Sequence, residues 1–199
     1  MKKLVLVASP PACGKTYVSK ILAEHLDHVV YLDKDDLCDL LRAAFAASGK
    51  NVDMDGSFYA ENLRSAEYST ILNIAFSALR FEDYVILNAP FVKEVRHPQT
   101  IKDLKKRANN LDAKLVLVWV SAPVDVCYER MKNRNSDRDL LKLKNWDEYV
   151  KKTNFAPPDE LKSSGAVDEF IIFDTKDECT FESSLTKTLK TIVGDKGSD

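Results

Sequence analysis

The sequence predicts an α/β protein: a doubly wound, mostly parallel five-stranded sheet flanked by helices. Three observations predict it. Five short apolar runs of strand type alternate with stretches whose apolar residues recur at helical spacing, which implies right-handed β-α-β crossovers. Residues 113–123, AKLVLVWVSAP, form a continuous apolar run, as a central parallel strand covered on both faces must. Four polar features, the loop at 9–16, the DKDD segment at 33–36, Asn88 and Asp174, fall at the carboxyl ends of the runs. Ligands of open α/β sheets bind along that rim.

Each element has its own reason. Residues 4–7 are the first strand, and a loop rich in small residues follows. Val18, Ile21, Leu22 and Leu26 then lie on one face of a helix. Residues 29–32 are a second strand, and Leu37, Leu40, Leu41, Ala44 and Phe45 repeat the helical spacing. The polar break SGKNVDMDGS at 48–57 precedes a longer helix over 58–80, whose stripe is Ile71, Ile74, Ala75, Ala78 and Leu79. Residues 84–90 are the third strand, closed by Pro90, which cannot donate to a ladder. A basic helix spans 97–110, and Pro123 suits the first turn of the helix after the fourth strand. Residues 168–175 make the fifth strand, and Phe181, Leu185, Leu189 and Ile192 mark a closing helix.

Composition narrows the class of function. The chain of 199 residues suffices for one domain with a sizeable core, read as 1–194 with a disordered tail at 195–199. A net charge of −2 gives no whole-chain reason to expect a nucleic-acid or membrane partner. The amino-terminal MKKLVLVA has two lysines and an apolar run, but only five apolar residues precede the loop. A secretory segment needs about 7–15. The expectation is a buried strand in a cytoplasmic protein. The four cysteines, Cys13, Cys38, Cys127 and Cys179, are scattered without C-x-x-C spacing, which argues against a disulfide framework or zinc site.

The loop carries the first chemistry. Ser9, Pro10, Pro11, Ala12, Cys13, Gly14, Lys15 and Thr16 follow the phosphate-loop pattern G-x-x-x-x-G-K-[ST], with serine in place of the first glycine. Between a buried strand and a helix, such a loop points backbone N–H groups and the helix dipole at an anion. Gly14 leaves room for phosphate, Lys15 reaches the β- and γ-phosphates of ATP, and Thr16 offers its hydroxyl to Mg²⁺. Ser9 is expected to cost something, because its Cβ crowds a tight turn. Cys13 is expected to be a small loop-filling residue rather than an activated thiol.

The second strand ends in LDKDDL, with Asp33 and Asp35 two apart and so on one side of an extended backbone. Near a transferring phosphate, Asp33 suits the metal and Asp35 the proton of an acceptor hydroxyl. Asp33 or Asp36 as a helix cap is the competing reading. Residues 129–144 hold six basic and three acidic residues, with Arg130, Arg134 and Arg138 four apart. Guanidinium groups suit phosphoryl oxygens, and the NRNSDRD stretch suits a mobile lid. Arg130 has a second reading, packing beside the nucleotide base. The basic KDLKKRANN at 102–110 lacks interleaved aromatics and reads as a solvated face.

Gly14-Lys15-Thr16, the Asp35-Asp36 pair and Arg134-Asn135-Ser136-Asp137-Arg138 resemble the small P-loop kinases of the group containing zeta toxins, chloramphenicol phosphotransferase and the phage polynucleotide 5′-kinase. The resemblance runs from Leu4 to about Val193, within the AAA-type P-loop NTPase superfamily. It implies a nucleoside-monophosphate-kinase-like fold, Asp35 as general base and Arg138 as the phosphoryl-stabilising arginine. Cys38 replaces a basic acceptor-contacting residue of the polynucleotide kinase, and Asn88 replaces an acid common after the third strand. The first change disfavours a nucleic-acid 5′ end, and the second shifts metal binding onto Asp33. The expected function is an ATP- and Mg²⁺-dependent kinase acting on an unidentified hydroxylated acceptor. The alternatives are an ATP-binding switch without phosphotransfer and a polynucleotide 5′-hydroxyl kinase.

Overall fold

The computed structural model describes residues 1–162 and 164–194, the side chains of residues 137 and 138 excepted. The expected tail at 195–199 lies outside the described residues. Five parallel strands, β1 (Lys2–Ala8), β2 (Val29–Asp33), β3 (Tyr84–Asn88), β4 (Ala113–Ser121) and β5 (Glu169–Asp174), stand in the order β2-β3-β1-β4-β5. The predicted fold class holds. β1 sits at the centre because Leu4, Val5, Leu6, Val7 and Ala8 are wholly buried on both sides. Alternation divides them: Leu4, Leu6 and Ala8 join Leu87, Leu117 and Trp119 in one core layer, while Val5 and Val7 join Ile86, Val118 and Phe173 in the other.

The helices close both layers. α3 (Arg64–Ala78) and α4 (Pro98–Asn109) cover the first through Ile71, Ala75, Ile101 and Leu104. α1 (Lys15–Glu24) and α8 (Glu178–Val193) cover the second through Val18, Leu22, Leu185 and Ile192. The helix expected over 58–80 opens with a π-helical turn, Tyr59–Leu63, before α3 begins. α2 (Cys38–Ala47) packs Leu41 and Phe45 against Tyr59 as a small third cluster.

The two amino-terminal lysines explain themselves. Lys2 Nζ donates to the carbonyls of Leu79 and Arg80 at 2.9 and 2.6 Å, beyond the end of α3. Lys3 Nζ donates to Thr191 and Ile192 in the last turn of α8. Ammonium groups at helix carboxyl ends satisfy orphan carbonyls and complement the dipole. No helix among the described residues is long and apolar enough to cross a membrane.

The basic segment 129–144 divides into two helices. α5 (Val124–Arg134) ends at left-handed Asn135, and Ser136 starts α6 (Asp137–Lys144). A further helix, α7 (Trp146–Lys152), has no counterpart in the sequence reading.

Candidate functional site

Strand register assembles the site. Val7 of β1 and Asp33 of β2 both pair with Asn88 of β3, so the phosphate loop, the carboxylate and the amide emerge side by side. Asn88 is fully buried. Its Nδ2 donates to Asp33 Oδ2 at 2.6 Å and approaches Thr16 Oγ1 at 3.2 Å, while its Oδ1 accepts from Lys15 Nζ. One amide thus touches the three side chains assigned to phosphate and metal. Tyr31, two residues before Asp33 on β2, adds an O–H bond to Asp33 Oδ2 at 2.9 Å. Burial, with the neighbouring Asp33 charge, pushes the Tyr31 phenol up to about 12, so it stays a donor.

Asp33 serves two roles. Its Oδ1 caps the short 3₁₀ turn Lys34–Leu37 by accepting from the Asp35 N–H at 3.0 Å, and its Oδ2 faces Asn88. The capping reading therefore holds for Asp33 without removing it from the site. Asp35 lies inside that turn rather than on an extended backbone, so the expected same-side geometry of Asp33 and Asp35 is replaced by a turn. The Asp35 side chain remains 58% exposed at the cleft.

The loop is shaped by left-handed residues: Ala12 has φ 65° and Gly14 φ 92°. A non-glycine residue held there costs about 1–2 kcal/mol and marks a conformation that the surroundings enforce. Ser9, by contrast, is not left-handed, and the expected penalty for its Cβ does not arise. Its hydroxyl donates to the Pro10 carbonyl at 2.7 Å and its N–H to the Pro90 carbonyl at 3.2 Å. Cys13 is buried, and the expectation that it is no activated thiol holds: its contact with Cys127, then burial, push the thiol up.

Thr175, just beyond β5, braces the loop from below. Its hydroxyl donates to the Cys13 carbonyl at 2.8 Å. Arg130 binds the same residue twice, NH1 to Oγ1 at 2.9 Å and NH2 to the carbonyl at 2.7 Å. That places the Arg130 guanidinium 3.6 Å from where a Cβ on Gly14 would stand. Arg130 is therefore at the loop.

Arg134 is directed elsewhere. Its Nε and NH2 both meet Oδ2 of buried Asp139, at 2.9 and 2.6 Å, clamping the turn between α5 and α6. Arg138 lies on α6, but its side chain is outside the described residues. Lys142 of α6 reaches Asp55 of the 48–57 loop at 3.0 Å, which ties α6 to the segment that precedes α3.

Around the start of α3 the structure gathers groups that the sequence reading missed. Lys34 Nζ lies 2.7 Å from Glu67 Oε1 and 3.4 Å from Asp35 Oδ1. Glu67 Oε2 accepts from the Tyr59 hydroxyl, and the Glu67 side chain has no solvent exposure. Burial opposes the Lys34 charge, but Glu67 and then Asp35 outweigh it and hold the ammonium above the ordinary lysine value. Arg64 pairs with Glu94 at 2.6 Å and stacks over Tyr68, whose ring meets Phe91 edge-on. Phe91, buried with φ 50°, turns the chain after β3. Only Tyr31 had a sequence signal, its i, i+2 relation to Asp33 on one strand. Glu67 and Thr175 are brought in from distant elements.

No cluster of three or more acidic, histidine or cysteine side chains suited to a metal occurs among the described residues. Thr16 and Asp33, joined through Asn88, fit a different arrangement. Mg²⁺ prefers hard oxygen donors and keeps most of its waters, taking one or two protein oxygens plus phosphate.

Residues 4–156 match the family model described as an AAA domain. The adenylate kinase of Nautilia profundicola is 28% identical over 142 residues, covering 70% of this chain and 71% of that protein. Among solved structures, a Chloroflexus aurantiacus protein superposes with a TM-score of 0.64 at 18% identity, covering 96% of this chain and 97% of that one. Kti12 of Chaetomium thermophilum, solved with ADP-AlF3, gives 0.58 at 18% identity, covering 96% and 100%. At such identity the likeness is one of fold.

Proposed function

Because the chain belongs to the AAA-domain family and has a P-loop kinase-like fold, we propose that it is an ATP- and Mg²⁺-dependent phosphotransferase whose acceptor is a hydroxyl of a small or nucleotide-like molecule. The observation that carries this reading is the Asn88 amide, which gathers Lys15, Thr16 and Asp33 at one strand-end junction with Asp35 one turn away. Residues 1–194 would act as one catalytic unit, in a cytoplasmic setting.

In this mechanism the loop N–H groups at residues 9–16 and the start of α1 bind the phosphates. Lys15 reaches from Asn88 to the γ-phosphoryl, and Arg130 flanks the nucleotide. Thr16 and Asp33 would hold Mg²⁺, which when bound would supply positive charge to offset that of the phosphates. Asp35 takes the proton of the acceptor hydroxyl as the new O–P bond forms and the bond to the β-phosphate oxygen breaks, releasing ADP. Lid closure would bring Arg138 to the moving phosphoryl, with Arg134 joining if it exchanges Asp139 for phosphate. An arginine so placed is worth up to about 10³–10⁵ in rate.

In the basic stretch at 102–110, Lys105 pairs with Asp168, and Arg107 stacks on Phe76 and bonds Asn73. The switch alternative loses one of its two supports, since Ser9 is unstrained. The deciding experiment is transfer from γ-labelled ATP with Mg²⁺ to nucleosides, sugars, antibiotics and 5′-hydroxyl oligonucleotides. Asp35→Asn should abolish labelling, by about 10²–10⁴-fold, with ATP binding retained. Tight ATP binding without transfer to any acceptor would favour the switch.

A further inference from the structure

Two buried thiols meet behind the phosphate loop, and no step of the phosphotransfer uses either as a thiol. Cys13 Sγ lies 3.6 Å from Cys127 Sγ, although the residues are 114 positions apart. Cys13 is 1% exposed and Cys127 0%. Cys127 stands in the first turns of α5, the helix whose Arg130 grips Thr175 and, through it, the Cys13 carbonyl. The sulfur pair therefore lies inside the brace that joins the lid helix to the loop.

We propose that Cys13 and Cys127 are an oxidative modification site, closing to a disulfide that withdraws the loop from nucleotide. The oxidant is hydrogen peroxide. Cys127 sulfur attacks a peroxide oxygen, the O–O bond breaks, and the proton lost by Cys127 leaves with the departing hydroxide as water. Cys13 sulfur then attacks the resulting sulfenic sulfur, forming S–S and breaking S–O. The Cys13 proton leaves with that hydroxide as a second water, so two thiols lose two electrons to one peroxide.

The order of attack follows the surroundings. The contact with Cys13 and the nearby Arg130 draw the Cys127 thiol down against its burial. The same contact and burial push Cys13 up, so Cys127 is the better nucleophile and Cys13 the resolving thiol. A disulfide is about 2.05 Å long, so the sulfurs must approach by about 1.5 Å. Fully buried Met131 and the Arg130–Thr175 bonds hold α5, and Thr175 holds the loop at the Cys13 carbonyl, so the approach of the sulfurs shifts the loop against this brace. A displacement of about 1 Å in groups that position a ligand can cost about 100-fold.

The effect on ATP rests on reading residues 9–16 as a nucleotide cradle, whereas formation of the bond does not. The test uses the full chain carrying Cys38→Ser and Cys179→Ser, treated with hydrogen peroxide, mapped by non-reducing mass spectrometry and titrated with Mg·ATP. The expected result is a linked Cys13–Cys127 peptide, ATP affinity weakened by about tenfold or more, and recovery with dithiothreitol. Bound Mg·ATP should slow the oxidation. Cys127→Ala should keep ATP affinity and lose peroxide sensitivity, and dithiothreitol reversal serves the same purpose should that variant not fold. Absence of the linked peptide overturns the site. A linked peptide with unchanged ATP affinity overturns its coupling to the loop. Failure of the reduced protein to bind ATP removes the cradle reading and the regulatory effect together, with the peptide map still deciding the bond.

Discussion

Asn88 shows how much one side chain decides. Its amide donates toward Asp33 and Thr16 and accepts from Lys15, so it sets the spacing between the groups proposed for metal and phosphate. Truncation in Asn88→Ala leaves these partners unspaced. Groups that orient metal ligands typically contribute about 10–100-fold. Asn88→Ala should raise the Mg²⁺ concentration needed for half-maximal transfer by that order, which a metal titration at saturating ATP measures. Ser9 and Gly14 make an opposing pair. Gly14→Ala puts a Cβ on a residue with φ 92°, at an expected cost of about 1–2 kcal/mol, although its nearest neighbour would be at an ordinary 3.6 Å. Ser9→Gly should leave ATP affinity within about twofold, since serine is unstrained there. Calorimetric titration of both variants with ATP checks the contrast. The Gly-Lys-Thr signature was legible in sequence. The ordinary backbone conformation of Ser9 was not, because backbone dihedrals depend on how the loop is braced.

At the scale of elements, the connection between the 3₁₀ turn Lys34–Leu37 and α3 is a buried ion pair. The Lys34 side chain is 12% exposed and that of Glu67 wholly covered. Removing one partner of a buried pair costs about 3–5 kcal/mol, whereas replacing both with apolar groups is often close to neutral. Lys34→Met alone should therefore lower the melting temperature strongly, and Lys34→Met with Glu67→Leu should recover much of the loss, as thermal circular dichroism would show. Glu67 holds the lysine pKa above its ordinary value. The pair's contribution is thus complete below that ordinary value and is lost as pH rises through the higher folded one. The apolar stripe of α3 was readable from its spacing. Glu67 was not, because an isolated acid on a helix reads as a solvated residue until its partners on other elements are known.

Across the whole molecule, α6 reaches from the end of α5 to the 48–57 loop. α6 and α7 follow α5, whose Arg130 is fixed to the phosphate loop, while Lys142 meets Asp55. Asp55 is 72% exposed, so the contact is worth at most about 1 kcal/mol and is screened by salt. Asp55→Lys should raise amide exchange over residues 137–152 and raise the ATP KM by no more than about fivefold, the change shrinking at high salt. The same experiment on wild type with and without Mg·ATP tests the proposed closure of this segment.

The sequence by itself determined the α/β class, the five strands, the phosphate loop and the carboxylates at the end of β2. These depend on local pattern: continuous apolar runs for covered strands, helical spacing for the flanks, and glycine, lysine and threonine at fixed offsets. Tertiary structure decided the rest. Strand order placed Asn88 between Val7 and Asp33, the fold brought Thr175 and Cys127 to the loop, and packing turned Arg134 toward Asp139. Most of these contacts join residues far apart in the chain, and Arg134 meets Asp139 only because the turn between α5 and α6 folds back, so no periodicity or motif encodes them one at a time. They follow from burying both faces of the sheet, which fixes where every strand ends and which side chains meet there.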